Sequence, residues 1–408
     1  MGALRLEAGA DDAGWEPATP GEGKPRWGRR DVTDPQVIVV GAGPAGSVAA
    51  LVLARAGVRV VVLDASAFPR DKTCGDLIGT GAVAALRTLG LSHALDGAFA
   101  LAGAQLYAPS GGSAGRTNGK PDAPERAARV LPRSIFDDRL LTAARSAGAS
   151  FAVARVLDAL LDGSGRVSGL RTTSGDVRAP VVIGADGWGS VVARAIGTPS
   201  PPRSSIAVVL RAYASGLTPS NAAMHFFVNG KSDGYGWVFP LGDGRANVGL
   251  GFIAGEGEED ARDVRAAFAR FIGPLSPAAS LLTGATFEEA KAWPIPLGWY
   301  IGPRSAPGVL LAGDAAGLAS PLSGSGIDHA VRSGALAGAT ALRMLGGDDR
   351  ARASYERAVA RRFMPRLRLE RLAHEIAGTP PRIEPWLAAA RFVPGAQTLL
   401  ARSLLALG

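Results

Sequence analysis

Val37-Ile-Val-Val-Gly-Ala-Gly-Pro-Ala-Gly46 is the stretch that decides the fold of this chain. Val37–Val40 reads as a short buried strand and Gly41–Gly46 as a tight turn. Ala45–Ala56 has a helical pattern with Gly57 as its C-cap, and Val58–Leu63 is a second apolar strand closing on Asp64. A glycine fingerprint alone is weak, but here the strand, helix and acid around it are all in place. Together they make a βαβ unit. The helix start presents free N–H groups to a diphosphate, and an acid at this spacing suits a ribose hydroxyl. Gly41, Gly43, Pro44, Ala45, Gly46 and Asp64 are therefore candidate dinucleotide-binding residues.

A second glycine-rich run, Gly313-Asp-Ala-Ala-Gly-Leu-Ala-Ser-Pro-Leu-Ser-Gly-Ser-Gly-Ile327, lies near the other end. It reads as an acid closing a buried strand (Val309–Ala312), then small residues, Pro321, and a helix start flanked by glycine. The Asp314 carboxylate can accept from a ribityl hydroxyl. The free N–H groups near Gly326 and Ile327 can face a flavin's pyrimidine edge, where reduction places negative charge. Two such sites, far apart in sequence, imply one long cofactor held at both ends. FAD fits that description.

Between the two runs, Ile135–Ala147 is helical and closes on Gly148. Residues 151–161 and 166–173 read as strands joined by Asp162-Gly-Ser-Gly165, and Val181–Gly187 as a buried strand ending in an Asp186-Gly187 turn. Ser190–Ile196 continues as a helix. From 204 to 256 the period becomes that of strands: Ser205–Ala214, Ala222–Val228, and Tyr235–Leu241 paired with Ala246–Ile253 across Gly242-Asp-Gly244. Asp260–Ile272 is helical, and the pattern after 327 is helical with breaks at Gly346-Gly347, Pro365 and Pro380-Pro381.

The expected fold is α/β. A Rossmann-type FAD domain spans 35–203 and 297–345, with part of 95–130 assignable to either domain. An antiparallel-sheet substrate domain is inserted at 204–296, and 346–408 forms a helical C-terminal region. Residues 1–34, rich in Gly, Pro and charge, are expected to be a flexible arm. The chain's 408 residues exceed one core, and 47% hydrophobic with 20% charged residues is a globular composition.

The net charge of +8 is mostly arginine; only five lysines occur, at 24, 72, 120, 231 and 291. That balance permits contact with anionic lipid without establishing it. No nucleic-acid-binding signature is present, so nucleic acid is not an expected partner. Cys74 is the only cysteine, which excludes an intrachain disulfide and an iron–sulfur cluster of the chain's own. Histidines 93, 225, 329 and 374 are too scattered to indicate a metal site. No apolar stretch spans a membrane, and the strand after Arg29-Arg30 is no signal h-region, so a cytoplasmic location is expected.

In colinear order from about Val37 to about Leu345, the chain resembles the geranylgeranyl reductase family of FAD-dependent oxidoreductases. That family lies within the p-hydroxybenzoate hydroxylase superfamily. The superfamily parts are the glycine fingerprint, Asp186-Gly187 and Gly313-Asp314. Closer to the family are Lys72-Thr-Cys-Gly75, Arg133 with Phe136-Asp137 and Leu140, Tyr235-Gly-Trp-Val-Phe-Pro240, and the hairpin Gly242–Gly251. Where the family usually has Gly-Glu-Gly-Ile-Tyr after the proline, this chain has Gly324-Ser-Gly-Ile-Asp328.

The resemblance implies a glutathione-reductase-like fold with FAD extended and its ring between the domains. It places Arg133 on the FAD phosphates or ribityl chain, Val156 on adenine by its main chain, and Cys74 and Gly75 near the ring. It adds Asp186, Gly313, Asp314, Pro321, Gly324, Gly326 and Ile327 to the cofactor set. The implied reaction is reduction of carbon–carbon double bonds in an isoprenoid or prenylated lipid, with Cys74, Tyr235 and Asp328 as candidate proton donors. The alternative is an FAD-dependent monooxygenase, hydroxylating or epoxidising a terpenoid or aromatic natural product on the same scaffold. No separate nicotinamide domain is evident, so the reductant is either NAD(P)H at the flavin face or an electron-donor protein.

Several of these residues have a plainer reading. Tyr235, Trp237 and Phe239 share one strand face, which serves core or substrate pocket equally. A free cysteine is commonly a small buried hydrophobe. Asp328 can instead cap a helix. Arg350, Arg352, Arg357, Arg361, Arg362, Arg366, Arg368 and Arg371 face only Glu356 and Glu370 in 350–371. That face is either solvated or a peripheral contact with anionic membrane.

Overall fold

Val37–Val40 forms an inner strand of a six-stranded sheet, and its four residues are buried on both sides. The computed structural model describes residues 34–116, 123–217, 222–228, 234–253, 264–298, 302–377, 385 and 395–405. The expected N-terminal arm, Asp34 apart, and Pro380-Pro381 lie outside them. The strand order is Ser305–Ala306, Val309–Leu311, Val181–Gly184, Val37–Val40, Val60–Asp64, Ser150–Val153. All pairings are parallel except that of the short edge strand Ser305–Ala306. The unbroken apolar runs follow from burial on both faces, as parallel strands require.

On one side of this sheet, the helix Pro44–Arg55 packs against Arg133–Ser146 and Ile327–Leu345. The approach to Ile327–Leu345 is close because small residues meet. A Cβ added at Gly334 would lie 2.2 Å from the Ala45 carbonyl oxygen, and one at Gly338 would lie 2.9 Å from that of Ala49. Ala45 and Ala49, like Gly334 and Gly338, are one helical turn apart and so share a face. A meander of Val156–Leu161, Val167–Thr172 and Gly175–Arg178 packs against strand Val181–Gly184.

The meander corrects one expectation. Residues 151–161 are two strands, not one. Ser150–Val153 ends the parallel sheet beside Asp64, whose carbonyl accepts the Ala154 N–H at 2.8 Å. The chain then turns, and Val156–Leu161 pairs with Val167–Thr172. Strand pattern persists across the change of sheet, so periodicity cannot reveal it.

The second large sheet has eight strands. Its main path runs Thr286–Phe287, Ile206–Ser215, Ala246–Ile253, Gly234–Pro240, Ala223–Val228, Gly103–Tyr107, Ser113–Arg116. Lys291–Pro296 also pairs with Ile206–Arg211 as an edge strand, where Pro294 and Pro296 are tolerated. Gly103–Tyr107 joins parallel to Ala223–Val228, so a segment from far upstream extends this sheet. One face carries Phe227, Val238, Val248 and Phe252 against the helix Val264–Phe271. The other carries Met224, Phe226, Trp237 and Phe239, partly covered by Ala401 and Leu404 of the helix Ala396–Leu405. Helices Ala351–Arg362 and Met364–Ala377 complete the described C-terminal part. No described helix is long and apolar enough to cross a membrane.

Candidate active site

The helix crossing sets the two glycine-rich runs side by side. The Gly313 N–H donates to Ser333 Oγ at 2.9 Å, and a Cβ added at Gly313 would lie 3.2 Å from that of Ala45. Asp314 faces the start of the long helix, where a Cβ on Gly326 would lie 3.0 Å from its Oδ1. Neither helix start, Gly43 or Gly326, has a side-chain cap. Both therefore keep orphan N–H groups for an acceptor. The fingerprint turn leaves no room for side chains at Gly41 and Gly46. Gly41 has φ +93°, and a Cβ on Gly46 would lie 1.8 Å from the Gly41 carbonyl oxygen. Asp64 braces this turn, accepting from the Ala42 N–H at 2.8 Å and the Ser66 N–H at 2.9 Å. Its two oxygens retain lone pairs for a ribose hydroxyl.

Two arginines reach the turn, and Lys72 lies within their field. Arg133 makes a bidentate pair with buried Asp137, both bonds 2.7 Å. Arg70 Nη1 lies 3.3 Å from Asp137 Oδ2 yet makes no hydrogen bond. A Cβ on Gly43 would lie 3.8 Å from Arg70 Nη2 and 3.9 Å from Arg133 Nη2. Burial and the charges of Arg133 and Arg70 push Lys72 down to about 7, against the pull of Asp314. Its ammonium sits 3.1 Å above the Trp293 ring. Burial pushes the Asp314 carboxyl up, opposed by Lys72 and Arg133. An unmet buried guanidinium donor, an open glycine face and two uncapped helix starts fit a diphosphate and flavin. Arg70, Lys72 and Asp137 were not among the residues singled out as ligands from sequence. The signal available was their closeness to Asp64, Cys74 and Arg133.

Beyond the cations lies the aromatic strand. A Cβ on Gly75 would lie 3.0 Å from the Phe239 ring and 3.5 Å from Trp237 Nε1, so the Cys74-Gly75 segment rests on that face. Tyr235 donates its hydroxyl proton to the Ser323 carbonyl, which ties the loop before the long helix to the sheet. That loop folds on itself: the Ser320 N–H donates to the Ser325 carbonyl at 2.7 Å and the Gly324 N–H to the Ser320 carbonyl at 2.9 Å. Burial pushes the Cys74 thiol up, with Arg133 opposing, and burial also pushes Tyr235 up. Both groups are thus protonated near neutral pH. Tyr235, Trp237 and Phe239 belong to one apolar layer with Phe226, Leu77 and Ile295.

Two candidate residues, Asp186 and Asp328, are engaged elsewhere. Asp186 spends its carboxylate on a helix start, accepting from Ser190 Oγ at 2.6 Å and the Val191 N–H at 2.8 Å. Its main chain, rather than its carboxylate, touches the fingerprint, since a Cβ on Gly41 would lie 3.0 Å from the Asp186 Cα. Asp328 neither caps its helix nor joins Cys74 and Tyr235. It pairs with Arg332 at 2.6 Å and Arg366 at 3.7 Å, and Gly81 lies against its Oδ2. This carboxylate links the long helix to Thr80–Thr88 and Met364–Ala377. Val156 opens the meander just past the strand that flanks Asp64.

The βαβ cradle, the basic pocket at its turn and the second glycine loop facing it define an FAD-dependent oxidoreductase. Comparison with known proteins agrees: residues 34–362 match the FAD binding domain family. Menaquinone reductase of Mycolicibacterium smegmatis is 34% identical over 313 residues, 75% of this chain and 76% of that protein. Digeranylgeranylglycerophospholipid reductase 2 of Methanopyrus kandleri is 34% identical over 328 residues, 77% of this chain and 78% of that one. A geranylgeranyl bacteriochlorophyll reductase-like protein from Thermoplasma acidophilum superposes with a TM-score of 0.77 at 25% identity, covering 87% of this chain and 91% of its own. The chain belongs to the geranylgeranyl reductase family of FAD-dependent oxidoreductases.

Proposed function

We propose that this protein reduces carbon–carbon double bonds of an isoprenoid or prenylated lipid. The observation that carries this reading is the seating of Cys74-Gly75 on the Trp237–Phe239 face, which sets an apolar wall against the cofactor-side segment. The names of the two reductase relatives support the substrate class. Gly41, Gly43, Pro44, Ala45 and Gly46 hold the diphosphate with Arg133 and Arg70; Asp64 takes the adenosine ribose and Val156 borders the adenine. Gly313, Asp314, Pro321, Gly324, Gly326 and Ile327 hold the ribityl chain and ring. FAD, once reduced by NAD(P)H or an electron-donor protein, would supply hydride to one alkene carbon. The protein excludes water with its aromatic layer and presents a protonated donor, Cys74 or Tyr235, to the other carbon.

The test is anaerobic. Photoreduced holoenzyme is mixed with a geranylgeranyl-bearing phospholipid or a prenylated quinone, and flavin absorbance and product mass are followed. Reoxidation without oxygen, with two hydrogens gained per turnover, is expected. No anaerobic reoxidation, but an oxygenated product in air, would replace this reading with the monooxygenase. Removing the true donor by Cys74→Ala or Tyr235→Phe should slow single-turnover alkene reduction by about 10²-fold or more. Photoreduction of the flavin should be unaffected in both variants. If neither variant slows the alkene step, both side chains are excluded as donors.

The substrate class also gives the basic C-terminal face a use. Leu369 and Leu372 are 66% and 50% exposed on Met364–Ala377, beside the exposed Arg361, Arg362, Arg368 and Arg371. Apolar side chains ringed by arginine suit an anionic membrane surface. Sedimentation with phosphatidylglycerol vesicles should capture the protein roughly tenfold better than phosphatidylcholine vesicles, an advantage lost in high salt. Equal capture by both, or none, would remove this face as the membrane contact.

A further inference from the structure

Asp76 has no exposed surface and a left-handed backbone, φ +60°, although it is not glycine. Such a conformation persists only where surrounding contacts determine it. Here the carboxylate collects three donors from three parts of the chain. Tyr213 donates its hydroxyl to Oδ2 at 2.6 Å, Asn247 Nδ2 donates to Oδ2 at 2.8 Å, and the Arg133 N–H donates to Oδ1 at 3.3 Å. Tyr213 and Asn247 are direct cross-strand partners, so their side chains rise from adjacent points of one sheet.

Asn247 is completely buried and fully used. Its Nδ2 also donates to the Cys74 carbonyl at 2.7 Å, and its Oδ1 accepts the Trp237 Nε1–H at 2.8 Å. An indole N–H can only donate, so the amide cannot flip. One unbroken chain of hydrogen bonds thus runs from Asp76 through Asn247 to the indole in the substrate-side wall, with a branch to the Cys74 main chain. A second strut lies alongside: Arg211 pairs with Asp71 at 2.6 Å and stacks on the Tyr213 ring at 4.3 Å.

We propose that Asp76 is a positioning residue which, through Asn247, locks the Trp237 indole and the Cys74 segment in the orientation that the cofactor and substrate require. The relay takes no part in bond making; it fixes where the apolar wall and the candidate donor stand. Its state depends on protonation. Burial pushes Asp76 up to about 6, against the hydrogen bonds of Tyr213 and Asn247 and the charges of Arg211 and Arg133; Cys74 is the other titratable neighbour. Above that pH the ionised carboxylate accepts all three donors. Below it, the added proton makes one oxygen a donor, and the relay loses an acceptor.

The test uses the FAD-loaded protein and no lipid, so its failure and that of the isoprenoid reading are distinguishable. The near-ultraviolet circular dichroism of Trp237 is assigned by difference from Trp237→Phe and titrated from pH 5 to 8. The wild-type signal should change with a midpoint near 6. Asp76→Asn should remove the transition and leave the low-pH signal at every pH. Tyr213→Phe deletes one hydrogen bond to the ionised form and should move the midpoint upward; it keeps the test alive if Asp76→Asn does not fold. Asp71→Asn, which cuts only the neighbouring strut, should retain a transition. A transition that persists in Asp76→Asn, or one unmoved in Tyr213→Phe, would overturn the proposal.

Discussion

Gly334→Ala should yield a protein that purifies largely without FAD. The added Cβ would stand 2.2 Å from the Ala45 carbonyl oxygen, a backbone atom in the first turn of the fingerprint helix. No rotamer relieves that contact, so the two helices must move apart. Overpacking of this kind costs about 1–3 kcal/mol. The cost falls on the cofactor more than on the fold, because this crossing holds the Gly41–Gly46 turn beside Gly313 and Asp314. A cofactor gripped at both ends loses one grip when that spacing changes. Bound FAD, read from the visible spectrum of purified protein, should fall about ten- to a hundredfold in affinity. Gly163→Ala, with nothing within 4 Å of its added Cβ, is the control and should bind FAD normally. Full occupancy in Gly334→Ala would show that the crossing does not set the cofactor geometry.

The second large effect is expected at Arg133. Arg133→Leu strands the fully buried Asp137 with only the 3.3 Å ionic contact from Arg70. Removing one partner of a buried ion pair costs about 3–5 kcal/mol, because the remaining charge stays desolvated. Denaturant melts should show that loss, and FAD binding should be abolished. The double variant Arg133→Leu with Asp137→Leu separates the two roles. With no charge left uncompensated it should recover much of the stability, yet it should still fail to bind FAD. Recovery of FAD binding in the double variant would mean that Arg133 only neutralises Asp137 and does not hold the cofactor.

The fold was legible because its elements are local. Val37–Val40, the glycine turn, the helix and Val60–Asp64 declare themselves within thirty residues, through apolar runs and glycine placement. FAD was legible because two such signatures occur in one chain. Side-chain roles were less so. Asp186 and Asp328 stand next to cofactor motifs in sequence, yet one caps a helix and the other pairs with arginines one helical turn on and from a later helix. An Asp in a motif shows that a carboxylate is present, not which donors reach it first. Asp76 and Asn247 escaped notice for the converse reason. Asp76 follows the Lys72–Gly75 motif and Asn247 lies within the Gly242–Gly251 hairpin, but their partnership joins positions 171 residues apart.

The sequence by itself determined the cofactor class, the α/β architecture and the family, since each depends on short-range pattern: strand, glycine turn, helix start, acid. Only the tertiary structure decided that Gly103–Tyr107 would extend the second sheet and that Gly334 would seat Ala45. It alone brought Arg70 and Arg133 to the Gly43 face with Lys72 in their field, and wired Asp76 to Trp237 through a single amide. The physical reason is range. Backbone preferences act over a few residues, whereas ion pairs, buried hydrogen bonds and close helix contacts exist only after distant segments have been packed together.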